Sequence, residues 1–335
     1  MEIQYQEGII MDILIKSPVR SLLLFKCVSK SWKMLISESY FKMRHLSHAK
    51  NDLNSQKLLV RESFTSGLFN FFCFSLSTDQ LIWDAQNRPS KCTPFGGDNI
   101  YSCCDGVVLL GLNYSFALPH TPFKLEYTSF GFGYDANSDD YKILKVNRGG
   151  KYFNFPTIVC PKTGSQMEIH PYYQDFTISP VVFVRGAFHW LGCSYNYSAV
   201  SFSTSNEVYR DIPLLYSNYG ISVLGGTLCF YSTYNYHQDQ PVTFQLWGMK
   251  EYGVVESWTE LFTLRASDSY NITPKYRYAD GDVLLRCSLD FRRQSCYGHV
   301  FRTSKGQLVG VSGSQSAVQE GIVYTESLIS PKSLI

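Results

Sequence analysis

Long apolar runs are missing from this chain: no window approaches the roughly twenty uninterrupted apolar residues that a membrane-crossing helix needs. Charge is sparse and balanced. Lys and Arg number 30 against 28 Asp and Glu, 17% of residues, for a formal net charge of +2. That balance removes the electrostatic case for binding nucleic acid or an anionic membrane. Paired cysteines are absent too. Of the ten cysteines, Cys103 and Cys104 are adjacent and the rest scatter without a C-x-x-C pair, which argues against zinc ribbons and dithiol redox chemistry. Cys287, Cys296 and His299 lack an evident fourth ligand, so no metal and no cofactor are expected. Free, mostly buried thiols in a reducing compartment are expected instead. The opening Glu2-Ile3-Gln4-Tyr5-Gln6-Glu7 lacks a basic signal-peptide region. The expected location is therefore the cytoplasm, the nucleus or both, with the acceptor triplets at Asn113, Asn196 and Asn271 left unglycosylated. No strict internal repeat is visible.

Aromatic residues are what the chain has in excess. With 24 Tyr and 23 Phe, concentrated after Phe64, it favours strands over helices. From Lys57 onward, short apolar or aromatic runs alternate with turn residues at a spacing of roughly ten, the pattern of a sandwich, barrel or propeller. Examples are Phe130–Tyr134, Tyr141–Val146, Ala187–Leu191, Thr227–Tyr231 and Val242–Trp247. Gly186-Ala187 and Gly225-Gly226 are placed to serve as two-residue hairpin turns, and serial hairpins suggest propeller blades. One helical turn is expected at Lys250–Tyr252. Trp190, Trp247 and Trp258 are expected to hold this region together.

The first fifty residues follow a different pattern. Ile9, Ile10, Ile13 and Leu14 form one face of an amphipathic helix. Ser17 and Pro18 suit the start of a second helix, and Ser29 or Ser31 the cap of a third carrying Trp32, Leu35 and Ile36. Three short helices in about forty residues bury themselves poorly and call for a partner. The polar Lys50–Gln56 stretch reads as part of a linker over 49–56.

These residues carry a resemblance. Pro18-Val19-Arg20-Ser21-Leu22-Leu23, followed by Leu24 and then Phe25-Lys26-Cys27-Val28-Ser29-Lys30-Ser31-Trp32, resembles the F-box of plant F-box proteins. One departure stands at the start, where Tyr5-Gln6-Glu7-Gly8 replaces the usual leucine-proline opening. Further on, Gly131-Phe132-Gly133-Tyr134-Asp135, Val184-Arg185-Gly186-Ala187-Phe188-His189-Trp190-Leu191 and Leu246-Trp247-Gly248-Met249-Lys250-Glu251-Tyr252-Gly253 are similar to the F-box-associated domain of that family. A tryptophan-asparagine-proline strand expected before Leu118-Pro119 is missing.

The resemblance implies an α+β chain by segments: a small three-helix F-box at 1–48, then a mainly antiparallel, all-β, propeller-like domain at 57–331. It implies a non-catalytic receptor that docks on a Skp-type adaptor, and through it a cullin scaffold, while the β-domain holds an unidentified target protein for ubiquitination. The adaptor contacts expected are Ile9, Leu14, Pro18, Leu22, Leu23, Val28 and Trp32. Tyr172, Tyr195, Tyr197, Tyr219 and Tyr234, set among Asn, Ser and Gln between strands, are the candidate target contacts. The rival readings are a decoy that no longer recruits the ligase and a propeller-type ligand-binding protein or enzyme.

Motifs that suggest other chemistry fail on context. Gly131-x-Gly133-x-x-Ala136 lacks the helix that would hold a pyrophosphate. Asp135-x-Asn137-x-Asp139 departs from a calcium loop at its sixth and twelfth positions, Asp140 and Val146, and reads as a hairpin turn. Gly310-Val311-Ser312-Gly313 is not a nucleophile elbow. His189 and Asp105 read as an aromatic-packed histidine and a turn residue.

Overall fold

The structure, a computed structural model, describes residues 2–63, 69–77, 98–112, 128–147, 156–169, 180–192, 198–214, 220–234, 242–266, 270–289, 298–304, 307–310 and 318–330. Four helices come first, one more than expected: α1 (Glu2–Ile15), α2 (Val19–Phe25), α3 (Lys30–Ser37) and α4 (Ser39–Asn51). The expectation for Ser17 and Pro18 needs correction. Pro18 is the N-cap residue of α2, not its first helical residue. Ser17 Oγ donates back to the Ile13 carbonyl at 3.1 Å and so closes α1. Ser29 does cap α3, accepting the Trp32 N–H at 3.1 Å. Leu14, Ile15, Leu22, Ile36 and Phe41 form the interior of the helical unit. The buried His45 donates Nε2–H to the Ser17 carbonyl at 3.0 Å, tying α4 to the α1–α2 turn.

The stretch expected as a linker is ordered. It contains the end of α4 and a 3-10 turn at Leu53–Ser55, capped by the Asp52 carboxylate. The Gln56 side chain donates back to the Ala49 carbonyl at 2.9 Å.

Strands follow. They are β1 (Gln56–Ser63), β2 (Phe69–Ser75), β3 (Asp98–Cys104), β4 (Val107–Leu112), β5 (Thr128–Asp135), β6 (Asp140–Asn147) and β7 (Thr157–Val159). Next come β8 (Gln166–Glu168), β9 (Val182–Val184), β10 (Ala187–Leu191), β11 (Ser198–Ser203), β12 (Tyr209–Pro213), β13 (Gly220–Leu224) and β14 (Thr227–Tyr234). The last are β15 (Val242–Met249), β16 (Trp258–Ala266), β17 (Tyr270–Arg277), β18 (Val283–Leu289), β19 (Gly298–Ser304), β20 (Gln307–Gly310) and β21 (Val318–Thr325).

They form five antiparallel sheets in a propeller arrangement: β3-β4, β5 to β8, β9 to β12, β13 to β16, and a seven-stranded sheet. The largest runs β17-β18-β19-β21-β1-β2, with β20 beside β19. Its two parts are joined at β19 and β21 by the single pair Gly298–Val318, so it folds into two leaves. Six strands therefore line the axis in sequence: β3, β5, β9, β13, β17 and β21, with β21 returning to β3. N-terminal β1 sits between β21 and β2 and closes the ring.

Turn chemistry sets the hairpins. Asp105-Gly106, Arg185-Gly186 and Gly225-Gly226 each have two consecutive positive φ angles, as the tight turns matched to strand twist require. The expected Gly186-Ala187 turn is thus shifted by one residue, because Ala187 already pairs with Val184. Glycine is required at position 106, where a Cβ would lie 2.5 Å from the Thr325 carbonyl. The helical turn expected at Lys250–Tyr252 lies instead at Val255–Ser257. The Asp135 carboxylate accepts from Asn137 N–H and Ser138 Oγ, making the β5–β6 connection a self-satisfied turn.

Aromatic packing fills the spaces between sheets. Trp190 is fully buried and meets Tyr209 edge-on, while Trp247 stacks on Phe230 and Trp258 meets it edge-on. The expected structural role of the three tryptophans agrees with these contacts. The segment where a strand was expected to be missing, 113–127, lies outside the described residues.

The helical unit is seated on the propeller at the segment following β21 and the Asp105 turn. Leu328 is inserted into the helical core. Ser327 Oγ donates to the Asp105 carbonyl, and Lys50 Nζ meets the nearly buried Asp105 carboxylate at 2.7 Å. Leu22 is 0% exposed and its neighbour Leu23 53%. Leu22→Ala should therefore destabilise the helical unit by roughly 2–5 kcal/mol, and Leu23→Ala by less than about 0.5 kcal/mol. Urea unfolding followed by amide exchange in α2 measures both.

Candidate functional site

Two surfaces have functional character. The first is the outside of the helical unit. Twelve large hydrophobic side chains are exposed among the described residues, and eight of them fall between Ile9 and Met43, too dense for a solvated surface. They are Ile9, Ile13, Leu23, Leu24, Val28, Met34, Tyr40 and Met43. Ile9 and Ile13 are four residues apart on α1, the spacing of one helical stripe, while Leu24 lies in the last turn of α2 and Val28 in the turn that follows it.

Of the seven contacts expected from sequence, Ile9, Pro18, Leu23 and Val28 are exposed. Trp32 is half-buried, edge-on to Phe25 at 5.5 Å. Leu14 and Leu22 require correction: both are interior packing residues and present nothing to a partner. Ile13, Leu24, Met34, Tyr40 and Met43 were not anticipated. In the run Leu22-Leu23-Leu24, composition does not tell inside from outside; only the rotation of about 100° per residue in a helix does.

The second surface is the propeller axis, a cavity of about 1230 Å³ lined by all six inner strands. One rim is formed by Lys50, Asp105, Gly106, Arg185 and Gly225, the side on which the helices sit. Farther along lie Glu320, which accepts the Ile100 N–H at 2.9 Å, and Lys275, Thr273 and Arg286. Tyr172, Tyr195, Tyr197 and Tyr219 lie outside the described residues. Tyr234 ends β14, but its side chain is also outside them.

No family model matches the chain. An F-box/kelch-repeat protein of Arabidopsis thaliana is 24% identical over 365 residues, covering 96% of this chain and 94% of the relative. The chain is similar along its whole length to plant F-box proteins of the F-box/kelch type. The F-box protein CPR1 of A. thaliana is 22% identical over 78% of this chain and 73% of its own length. A putative F-box/kelch-repeat protein of that plant is 41% identical over 56 residues, 17% of this chain and 14% of its own. Among solved structures, TolB from Acinetobacter baumannii covers 85% of this chain and 71% of its own at 10% identity, with a TM-score of 0.49. That likeness is too loose to carry a conclusion.

Among the described residues, the cysteines and histidines are mostly buried or half-buried. Seven cysteines are described and all are free thiols. Burial pushes Cys103, Cys229 and Cys287 up to about 12, so they carry little thiolate at neutral pH. Among the described residues no group of three His, Cys, Asp or Glu side chains could hold a metal ion. Cys296 lies outside them.

His189, the histidine embedded in the strongest motif, is fully buried on β10. It shares a hydrogen bond with the Tyr252 hydroxyl at 2.8 Å. Burial pulls it down to about 4 from its ordinary 6.5, so it is neutral in the fold. The unfolded chain binds that proton first as pH falls, so stability is lost between pH 6.5 and 4. A shift of this size corresponds to roughly 3 kcal/mol at most. His189→Phe should flatten this acid limb in urea titrations at stepped pH, and wild type should show it.

Proposed function

We propose that this chain is the target-recognition subunit of a Skp–cullin–F-box ubiquitin ligase. The carrying observation is the exposed apolar face of a helical unit firmly seated on a propeller. Its sequence from Pro18 to Trp32 resembles an F-box, and the relatives named above are F-box proteins. The receptor does no bond chemistry in this reading. The helices dock on a Skp-type adaptor through Ile9, Leu23, Leu24 and Val28, with Trp32 bracing the α2–α3 corner. The propeller holds a target and raises its effective concentration near a ubiquitin-loaded enzyme. The ordered α4–β1 junction fixes the distance between the two tasks, as a tethered transfer requires. The complex would work in the cytoplasm, the nucleus or both.

A second reading follows from the N-terminus. α1 runs through Gln6, where a leucine-proline opening would place a ring that removes a helical N–H. A longer α1 in that place favours a receptor that keeps its target surface but has lost the adaptor.

The test is co-purification of the full chain with a plant Skp-type adaptor. Leu23→Asp with Val28→Asp should reduce adaptor recovery at least about tenfold, a cost of roughly 1.4 kcal/mol. Circular dichroism should stay unchanged, since both side chains are exposed. Equal, substantial recovery by wild type and the double variant would overturn the docking face. No recovery by either, with restoration by Tyr5→Leu plus Gln6→Pro, would establish the decoy.

A further inference from the structure

The axial cavity has a charge pattern that adaptor docking does not use. Its described lining includes four cationic side chains, Lys50, Arg185, Lys275 and Arg286, against two acidic ones, Asp105 and Glu320. Both acids already face a cation: Asp105 meets Lys50 at 2.7 Å, and Glu320 meets the buried Arg61 at 3.7 Å. Glu320 is further held by the Ile100 N–H.

Lys275 owes its position to a β-bulge. β17 pairs Pro274 with Leu285 and Tyr276 with Leu284, leaving Lys275 as an extra residue between them. Such a bulge re-aims one side chain out of the ladder. Pro274, with no N–H to give, is tolerated because β17 ends its sheet. Thr273 stands directly opposite Arg286, so the same face of the β17–β18 pair brings Arg286 to the channel. Its other face, Ile272, Leu285 and Cys287, belongs to the hydrophobic core. The Tyr231 hydroxyl, held by Thr273, and Ser222 add polar groups to the same wall. No hydrogen bond or ion pair within 4 Å joins the Lys275 ammonium to a described residue, although Glu320 lies near enough to draw on its charge.

We propose that the propeller channel binds a small organic anion, a carboxylate or phosphate, between the bulge residue Lys275 and Arg286. The cavity, about 1230 Å³, is as large as the pockets that take small ligands. The arrangement supplies what an anion needs: two cations of different shape on adjoining strands, neutral hydroxyls beside them, and one nearby acid in the described lining, Glu320, which is shared with Arg61. Burial and the neighbouring Arg286 lower Lys275 to about 8 against the opposing pull of Glu320. A bound anion offsets both effects and returns the lysine toward its charged form. The inference does not rest on the adaptor reading, since the channel is formed by the propeller strands.

The test is the labelling rate of Lys275 in the full chain by an amine-reactive reagent, read by peptide mass spectrometry. The exposed Lys250 serves as internal reference. Without added anion, Lys275 labelling should rise with a midpoint near pH 8. Inorganic phosphate or citrate should raise that midpoint by about one unit and slow labelling below it roughly tenfold, with Lys250 unaffected. Sodium chloride at matched ionic strength should do neither. Arg286→Gln should weaken the protection. Lys275→Met should fold, since it only replaces a confined cation with an apolar chain, but should lose any rise in melting temperature produced by phosphate. Equal slowing of Lys250 and Lys275, or no response to either anion at tens of millimolar, would overturn the proposal. So would protection by an acidic peptide in the absence of protection by phosphate and citrate, which would mark the channel as a seat for a segment of the target.

Discussion

The antiparallel pairing of β1 with β21 is the interaction on which the rest of the molecule depends. It joins Gln56–Glu62 to Val318–Thr325 and turns a row of sheets into a ring. The residues at the end of that pairing and just beyond it also join the two parts of the protein. Gln56 leads back to α4, and beyond Thr325 the chain delivers Ser327 to the Asp105 turn and Leu328 to the helical core. Ring closure and helix seating are therefore one event. The Thr325 hydroxyl donates to the Gln56 side-chain oxygen at 3.1 Å, at the point where both meet.

Much of this was legible in the sequence because local chemistry and global fold agree. Ser29 caps α3 as its position before an apolar-periodic segment implies, and Gly225-Gly226 forms a hairpin turn between two β-rich runs. Other elements were hidden for identifiable reasons. β17 carries a proline and a lysine in succession, Pro274-Lys275, which reads as a break until the bulge is seen to accommodate both. The Lys50–Gln56 stretch looks like a linker by polarity, yet its polar groups satisfy one another and the helix end instead of solvent. At the candidate docking face, the resemblance located the helices but not their orientation. Leu14 and Leu22 share composition with the exposed Leu23 and Leu24, and only tertiary packing separates them. The channel cations were beyond reach altogether, since Lys275, Arg286 and Glu320 are brought together by closure of the ring.

The two candidate surfaces divide the molecule by direction. The helices rest against the rim where Asp105-Gly106 and Arg185 turn, so the inner strands run toward them from the other mouth of the channel. Glu320 and Ile100, early in their strands, lie farther from the helices than Asp105 and Thr325, late in theirs. The Lys50–Asp105 pair has one rim-exposed member and one nearly buried member, so its loss would be felt mainly as an uncompensated carboxylate.

The clasp also has a temporal consequence. During synthesis the helices and β1 emerge well before the strand that pairs with β1 and the leucine that fills the helical core. Until then β1 has an open edge and the helical unit an unfilled interior, both surfaces that invite chaperones. A nascent or prematurely terminated chain is therefore in a different state from the finished protein, with its apolar helices unseated. The helical face is held in its final setting only after β21 and Leu328, far downstream of α4 in the chain, have joined it.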